Sequence, residues 1–394
     1  MGCGLALAAL FATGSAQARE FSVLYAFDGN DGGQPLASPI IGADGNLYGT
    51  TYTGGKDGLG NVFQLAPDGT ETNLHVFVGE PRDGQWPRAG LIMDGAGNLY
   101  GATEEGGKTD AGIIYKLSSG GAETTLYTFC GQAQCADGTQ PIGGLIMDAK
   151  GNLYGTTQYG GTGCGDDPGC GVVFELTSGG SETVLYAFCG QAKCADGDQP
   201  IGGLIADANG NLYGTTSLGG AHNDGTVFKL APDGTQTVLH AFGGKPDDGA
   251  QPLASLIADK KGNLYGTTSL GGRHNDGTIF RLAPDGTETV LYSFKGTPDD
   301  GAQPLATLIA DKTGNLYGTT LAGGSTGCSG TGCGTIFKVA PGGGETVLYA
   351  FCQQPDCTDG NAPYSGVTMD KEGNLYGTAS GGGSGYGTIF KLGK

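Results

Sequence analysis

The sequence predicts an all-β chain: a seven-bladed β-propeller of four-stranded antiparallel blades, closed by residues 21–27 joining the C-terminal blade. Three observations predict it. Four short segments recur seven times in a fixed order. Each segment is β-branched or aromatic-rich and bounded by turn residues, as half-buried strands are. The array also starts and stops out of phase, so that its first segment completes its last unit.

The clearest landmark is Gly-Asn-Leu-Tyr-Gly, whose tyrosines are Tyr48, Tyr100, Tyr154, Tyr213, Tyr265, Tyr317 and Tyr376. Strand A precedes it, as in residues 252–259 (PLASLIAD). The landmark itself is strand B, strand C resembles GTVFKL (225–230) and strand D resembles VLYAF (184–188). An Asp-x-x-Gly-Asn turn links A to B. Ala-Pro-Asp-Gly, as at 231–234, links C to D. Gly and Asn tolerate the positive φ of such turns, and Pro presets the first corner. No segment has the 3.6-residue period of a helix. Units of this kind repeated radially make propeller blades. The tyrosines are expected to bury their rings between blades and satisfy their hydroxyls at the rim. The glycine after each is expected to let neighbouring sheets approach.

The chain opens with a strand D, Phe21 to Phe27, and closes with a strand C, Gly387 to Leu392. Pairing the two removes the open edges that would template aggregation. An open solenoid would instead need polar capping units.

Residues 1–18 read as a secretory signal, with an apolar run from Leu5 to Phe11 and Ala16-Gln17-Ala18 as a small-x-small cleavage site. Cys3 lies within it. Residues 19–394 are then one propeller domain, exported and expected to be a monomer, with no apolar run long enough to span a bilayer. The net charge is -19, which disfavours nucleic acid and anionic membrane surfaces as partners. Gly accounts for 81 of the 394 residues without a collagen period, and punctuates a chain of many tight turns.

The ten remaining cysteines fall in five close pairs: Cys130/Cys135, Cys164/Cys170, Cys189/Cys194, Cys328/Cys333 and Cys352/Cys357. An even count in an exported chain argues for disulfides. None of the pairs is CxxC, so spacing favours neither zinc nor redox chemistry.

The repeated GNLYGTT…GG…GTVFKLAPDG unit resembles the GloVer tandem repeat of bacterial exported proteins, the choice-of-anchor group, over residues 21–394. It is similar, more loosely, to NHL-type propeller repeats. The resemblance implies a surface, secreted or periplasmic protein and no particular activity. Gly393-Lys394 follows the last strand directly, so a freely secreted or periplasmic form is expected.

Successive turns of a meander alternate between its two ends. One face therefore carries the short A–B and C–D turns. The other carries the B–C and D–A loops, all the length variation and all ten cysteines, and is the face expected to bind. Each D–A loop contains Asp-Gly: Asp31, Asp83, Asp137, Asp196, Asp248, Asp300 and Asp359. Such a ring of acids could bind a divalent cation such as calcium. A turn-capping role is the preferred reading because it recurs in every unit, and no cofactor is expected. His75 and His240 replace the strand-D tyrosine, and His222 and His274 sit in identical His-Asn-Asp-Gly turns.

Comparing units within the chain exposes two exceptions. Before and after the loop proline stand Gln and Leu or Ile in five units, but Trp86 and Arg88 in one and Ala362 and Tyr364 in another. Arg82, Glu104 and Glu105 also break pattern nearby. An aromatic beside an arginine could stack a sugar or hold a carboxylate. Trp86, Arg88, Tyr364, Arg82, Glu104 and Glu105 are thus the candidate ligand residues. No catalytic motif such as GxSxG or HExxH is present, and no catalytic residue is assigned. The first functional reading is a non-catalytic binding or scaffolding module for a glycan or cell-surface protein. The alternative is an extracellular lyase, lactonase or hydrolase, since propellers host both.

Overall fold

A computed structural model of the chain describes residues 19–162, 164 and 169–394. The expected signal segment, Cys3 included, lies outside the described residues. Seven four-stranded antiparallel sheets form the blades. Blade 1 has strands A to D at Ile40–Ile41, Leu47–Thr51, Asn61–Leu65 and Glu71–Val76. Blade 7 takes its A to C from Val367–Met369, Leu375–Ala379 and Thr388–Leu392, and its D from Phe21–Ala26. That closing pair is antiparallel, with Phe21 opposite Leu392 and Val23 opposite Phe390.

Every seam between blades is built alike. The phenylalanine ending each strand D meets the strand-C ring of the next blade edge-on: Phe188 on Phe228 at 5.1 Å, Phe294 on Phe337 at 5.2 Å, and across the closure Phe27 on Phe63 at 5.4 Å. These rings are fully buried, and edge-to-face pairs add attraction beyond their burial. Further in, the first threonine of strand B donates to a main-chain carbonyl of the next blade. Thr215 reaches Ala254 at 3.0 Å and Thr378 reaches Ala37 at 3.1 Å. Ala102 takes this position in blade 2 and cannot make the bond. At the rim six of the landmark tyrosines are half-buried and Tyr317 is buried, and their hydroxyls donate to turn aspartates, as Tyr213 does to Asp207 at 3.1 Å.

Two expectations are corrected. Strand A is far shorter than its eight-residue segment: only Ile257–Ala258 pairs in blade 5. The preceding residues line the axis, where seven segments converge and ladder partners run out. The glycine after each tyrosine makes room within its own blade, not between sheets. A Cβ on Gly214 would lie 2.7 Å from the ring of Phe228 in the adjacent strand C.

Blade 2 breaks the aromatic rule with Tyr115 at a position that is phenylalanine in the other six. Its ring is fully buried and its hydroxyl has no hydrogen-bond partner among the described residues, and burial pushes its pKa far up. An orphaned buried hydroxyl costs on the order of 1–3 kcal/mol. Tyr115→Phe is expected to stabilise the protein by about 1–2 kcal/mol, read as a higher urea midpoint with an unchanged slope.

Candidate ligand site at the channel mouth

The loops of the decorated face are tied to one another. Each D–A loop pairs with the B–C loop of the blade it enters, as Gly84 does with Gly106 and Gly249 with Gly271. The residue before each loop proline adopts a left-handed conformation, φ 51 to 59, in all seven units. Its N–H donates to the B–C loop of the preceding blade, Trp86 to Leu59 at 2.9 Å and Gln251 to Asp224 at 2.8 Å. This fixes the backbone and leaves the side chain at that position free to vary.

The residue after the proline lines a central cavity of about 410 Å³. Its wall there is Leu36, Arg88, Ile142, Ile201, Leu253, Leu305 and Tyr364. Arg88 and Tyr364 flank Leu36 in an otherwise aliphatic ring. Trp86 is not on this wall. Its indole stacks on Tyr52, with ring centroids 6.1 Å apart and planes 29° apart. The Arg88 guanidinium lies 3.9 Å from Glu104 Oε2 and its side chain keeps 35% exposure. It makes no hydrogen bond among the described residues, and that buried Glu104 oxygen has no hydrogen-bond partner either. The Tyr52 hydroxyl is pushed up to about 12, first by burial and then by the charge of Glu104.

Trp86, Arg88 and Glu104 are therefore brought into one cluster, with Tyr364 on the same cavity wall. Glu105 turns to Gln85, whose Nε2 donates to it at 3.2 Å. Burial, then the nearby Asp110, raises its pKa. Arg82 is exposed and stands in no ion pair among the described residues. Tyr52 was not among the sequence candidates. It follows Gly-Thr-Thr in strand B, where blades 4, 5 and 7 carry Ser217, Ser269 and Ser380. Those serines close their own loops, Ser217 Oγ donating to the Gln199 carbonyl at 3.1 Å. Across the units this position also carries Glu104, Gln158 and Leu321, and Tyr52 differs from them in being its one aromatic.

The seven loop aspartates are each occupied within their own loops. Asp196 is wholly buried and accepts from Tyr186 Oη at 2.8 Å and from the N–H groups of Gly190 and Gln191 at 3.0 and 3.1 Å. His75 and His240 take the tyrosine's place beside Asp83 and Asp248. His222 and His274 are exposed, and the next residues, Asn223 and Asn275, cap their turns by accepting from Gly219 and Gly271.

A second carboxylate opens strand D in blades 1, 2, 3, 5 and 6 and faces the aspartate of the neighbouring seam. Glu71, Glu182 and Glu345 are pushed up from 4.5 to about 7, mainly by burial and then by Asp31, Asp137 and Asp300 respectively. A carboxyl raised on folding favours the protonated, folded form. The penalty is absent below about pH 4.5, grows as pH rises and is complete above about pH 7. Stability is thus expected to fall between pH 5 and pH 8. Glu182→Gln should flatten that slope, since Gln236 already occupies this place in blade 4 and donates to the Asp196 carbonyl at 3.0 Å. Urea midpoints across the range check both statements.

The Gloeobacter/Verrucomicrobia repeat matches residues 9–195, 95–261 and 200–393. The chain belongs to this repeat family. No curated protein matches it by sequence. Among solved structures, the repeat protein is similar to virginiamycin B lyase from Staphylococcus aureus. The two are 12% identical over 95% of this chain and 100% of that one, with a TM-score of 0.60. A streptogramin B lyase is 15% identical over 95% and 97%, with a TM-score of 0.57. The extracellular domain of a B. thetaiotaomicron protein described as a one component system is 10% identical over 95% and 40%, with a TM-score of 0.57. At these identities the likeness is one of fold, shared by two lyases and the extracellular domain of a one component system alike. No helix among the described residues is long and apolar enough to cross a membrane.

Proposed function

We propose that this repeat protein is an exported, non-catalytic binding module whose channel mouth takes an acidic saccharide. The observation that carries the reading is the Arg88 guanidinium. It is partly exposed, free of hydrogen bonds among the described residues and only loosely paired with Glu104 at 3.9 Å. A ligand carboxylate can engage its planar fork with two parallel hydrogen bonds. The Trp86–Tyr52 pair alongside offers an aromatic face for a sugar ring, and Tyr364 bounds the cavity beyond Leu36. The overall charge of -19 works against long polyanions, so a short saccharide with one or two carboxylates fits best. Five loop pairs within disulfide distance are compatible with an oxidising, extracellular setting.

The alternative is catalysis on such a saccharide, for which propeller lyases provide a precedent of fold alone. A screen of the pure protein against immobilised and soluble oligosaccharides separates the two. Retention of uronic-acid-bearing chains without change in their length or saturation is the expected result. Release of shorter or unsaturated products would replace the binding reading with the enzymatic one. Retention of neutral chains only would remove the role given to Arg88.

A further inference from the structure

The five cysteine pairs look alike in sequence, but the fold treats them differently. The B–C loop of blade 3, with Cys164 and Cys170, meets the next D–A loop, with Cys189 and Cys194. The B–C loop of blade 6, with Cys328 and Cys333, meets the next D–A loop, with Cys352 and Cys357. In each meeting one sulfur from each of the four residues lies within 4.8 Å of all the others. Cys130 and Cys135 have no such companions among the described residues. The B–C loop preceding them has no cysteine, and Thr109 fills the gap by donating to the Phe129 carbonyl.

We propose that each four-cysteine cluster is a redox-gated site for one thiophilic d¹⁰ cation, zinc above all. Oxidised, it holds two loop disulfides. Reduced, it offers a tetrathiolate. A tetrahedral zinc site with Zn–S bonds of about 2.3 Å sets its sulfurs about 3.8 Å apart, inside the 4.8 Å span that the four sulfurs already share, so that on reduction each bonded pair has only to part in place. The scaffold does not depend on the sulfur–sulfur bonds alone. The Cys170 carbonyl accepts from Gln199 N–H at 3.0 Å and the Cys333 carbonyl from Ala362 N–H at 2.9 Å, so main-chain bonds join the two loops in either state. Cys170 and Cys333 are 4% and 1% exposed and form the floor. Cys328 is exposed and leaves a way in. The chemistry balances simply. Two molecules of a dithiol reductant are oxidised to their cyclic disulfides and supply the four electrons and four protons that open both bridges. The cation then displaces the four thiol protons to solvent. This inference is independent of the saccharide reading, because neither cluster contains a residue of the channel mouth.

The test starts from the whole chain reduced under anaerobic conditions, freed of reductant and titrated with cobalt(II) and then zinc. The expected result is two ions per chain with an intense thiolate-to-cobalt charge-transfer band that zinc abolishes. Cys352→Ser with Cys357→Ser should leave one ion. Cys130→Ser with Cys135→Ser should leave two. The proposal is overturned if the folded, reduced chain gives no thiolate band, or if the Cys352/Cys357 replacement does not change the count. It is equally overturned if removing Cys130 and Cys135 lowers the count, or if reduction unfolds the chain and zinc does not restore its β spectrum.

Discussion

A chain lacking residues 19–27 aggregates or is lost from the soluble fraction. The deleted strand carries two aromatic anchors. Phe27 is fully buried against Phe63 of blade 1. Phe21 stacks on Tyr349 of blade 6, with centroids 3.8 Å apart and planes 3° apart. Truncating a buried phenylalanine typically costs about 3–5 kcal/mol. That loss, with a smaller one from the partly buried Phe21, equals a large part of the roughly 5–15 kcal/mol that holds a domain together. Deletion also strips the ladder partner from Thr388–Leu392, exposing an edge strand that other chains can extend. Size-exclusion chromatography and thermal melting check this. A monomeric product with an unshifted melting temperature would show that the ring does not need its closing strand.

Asp196→Ala destabilises the protein by about 3 kcal/mol or more, while the exposed turn variant Asp233→Ala stays within about 1 kcal/mol. The buried Asp196 carboxylate receives a tyrosine hydroxyl and two main-chain N–H groups. Hydrogen bonds to a charged group contribute about 1.5–3 kcal/mol each, and their loss leaves buried donors without acceptors. Asp233 accepts from Thr235 N–H at an exposed turn, where water replaces the lost acceptor. If the carboxylate acts through its own loop, a chelator should leave the wild-type urea midpoint unchanged. Equal sensitivity of the two variants, or a chelator effect as large as the Asp196 substitution, would contradict this account.

The architecture was legible because it is written seven times. Blade boundaries, the closing strand and the decorated face all follow from the phase of Gly-Asn-Leu-Tyr-Gly against its neighbouring segments. What repetition hides is contact between units. That Tyr52 backs Trp86, that Glu104 reaches Arg88, and that Cys164/Cys170 meets Cys189/Cys194 are facts of neighbouring loops. They depend on which B–C loop touches which D–A loop, and no spacing along the chain states that. The short strand A has the same origin. The segment PLASLIAD reads as a strand throughout, yet its first half faces an axis where no ladder partner is available. Arg82 broke the repeat pattern for a different reason: at an exposed position, sequence variation carries little information about contact.

The central functional claim is that Arg88, Trp86 and Tyr364 form one binding site. Its most direct test is calorimetric titration of the wild type and of Trp86→Ala, Arg88→Ala and Tyr364→Ala with an acidic oligosaccharide retained in the screen. Gln251→Ala and Leu253→Ala, at the equivalent positions of an ordinary unit, serve as controls. Desolvated stacking or charge pairing contributes on the order of 1–3 kcal/mol. Each of the three site variants is therefore predicted to weaken binding about ten- to a hundredfold, with the controls unchanged. Affinities within twofold of wild type for all three folded variants would contradict the site, and with it the proposed function.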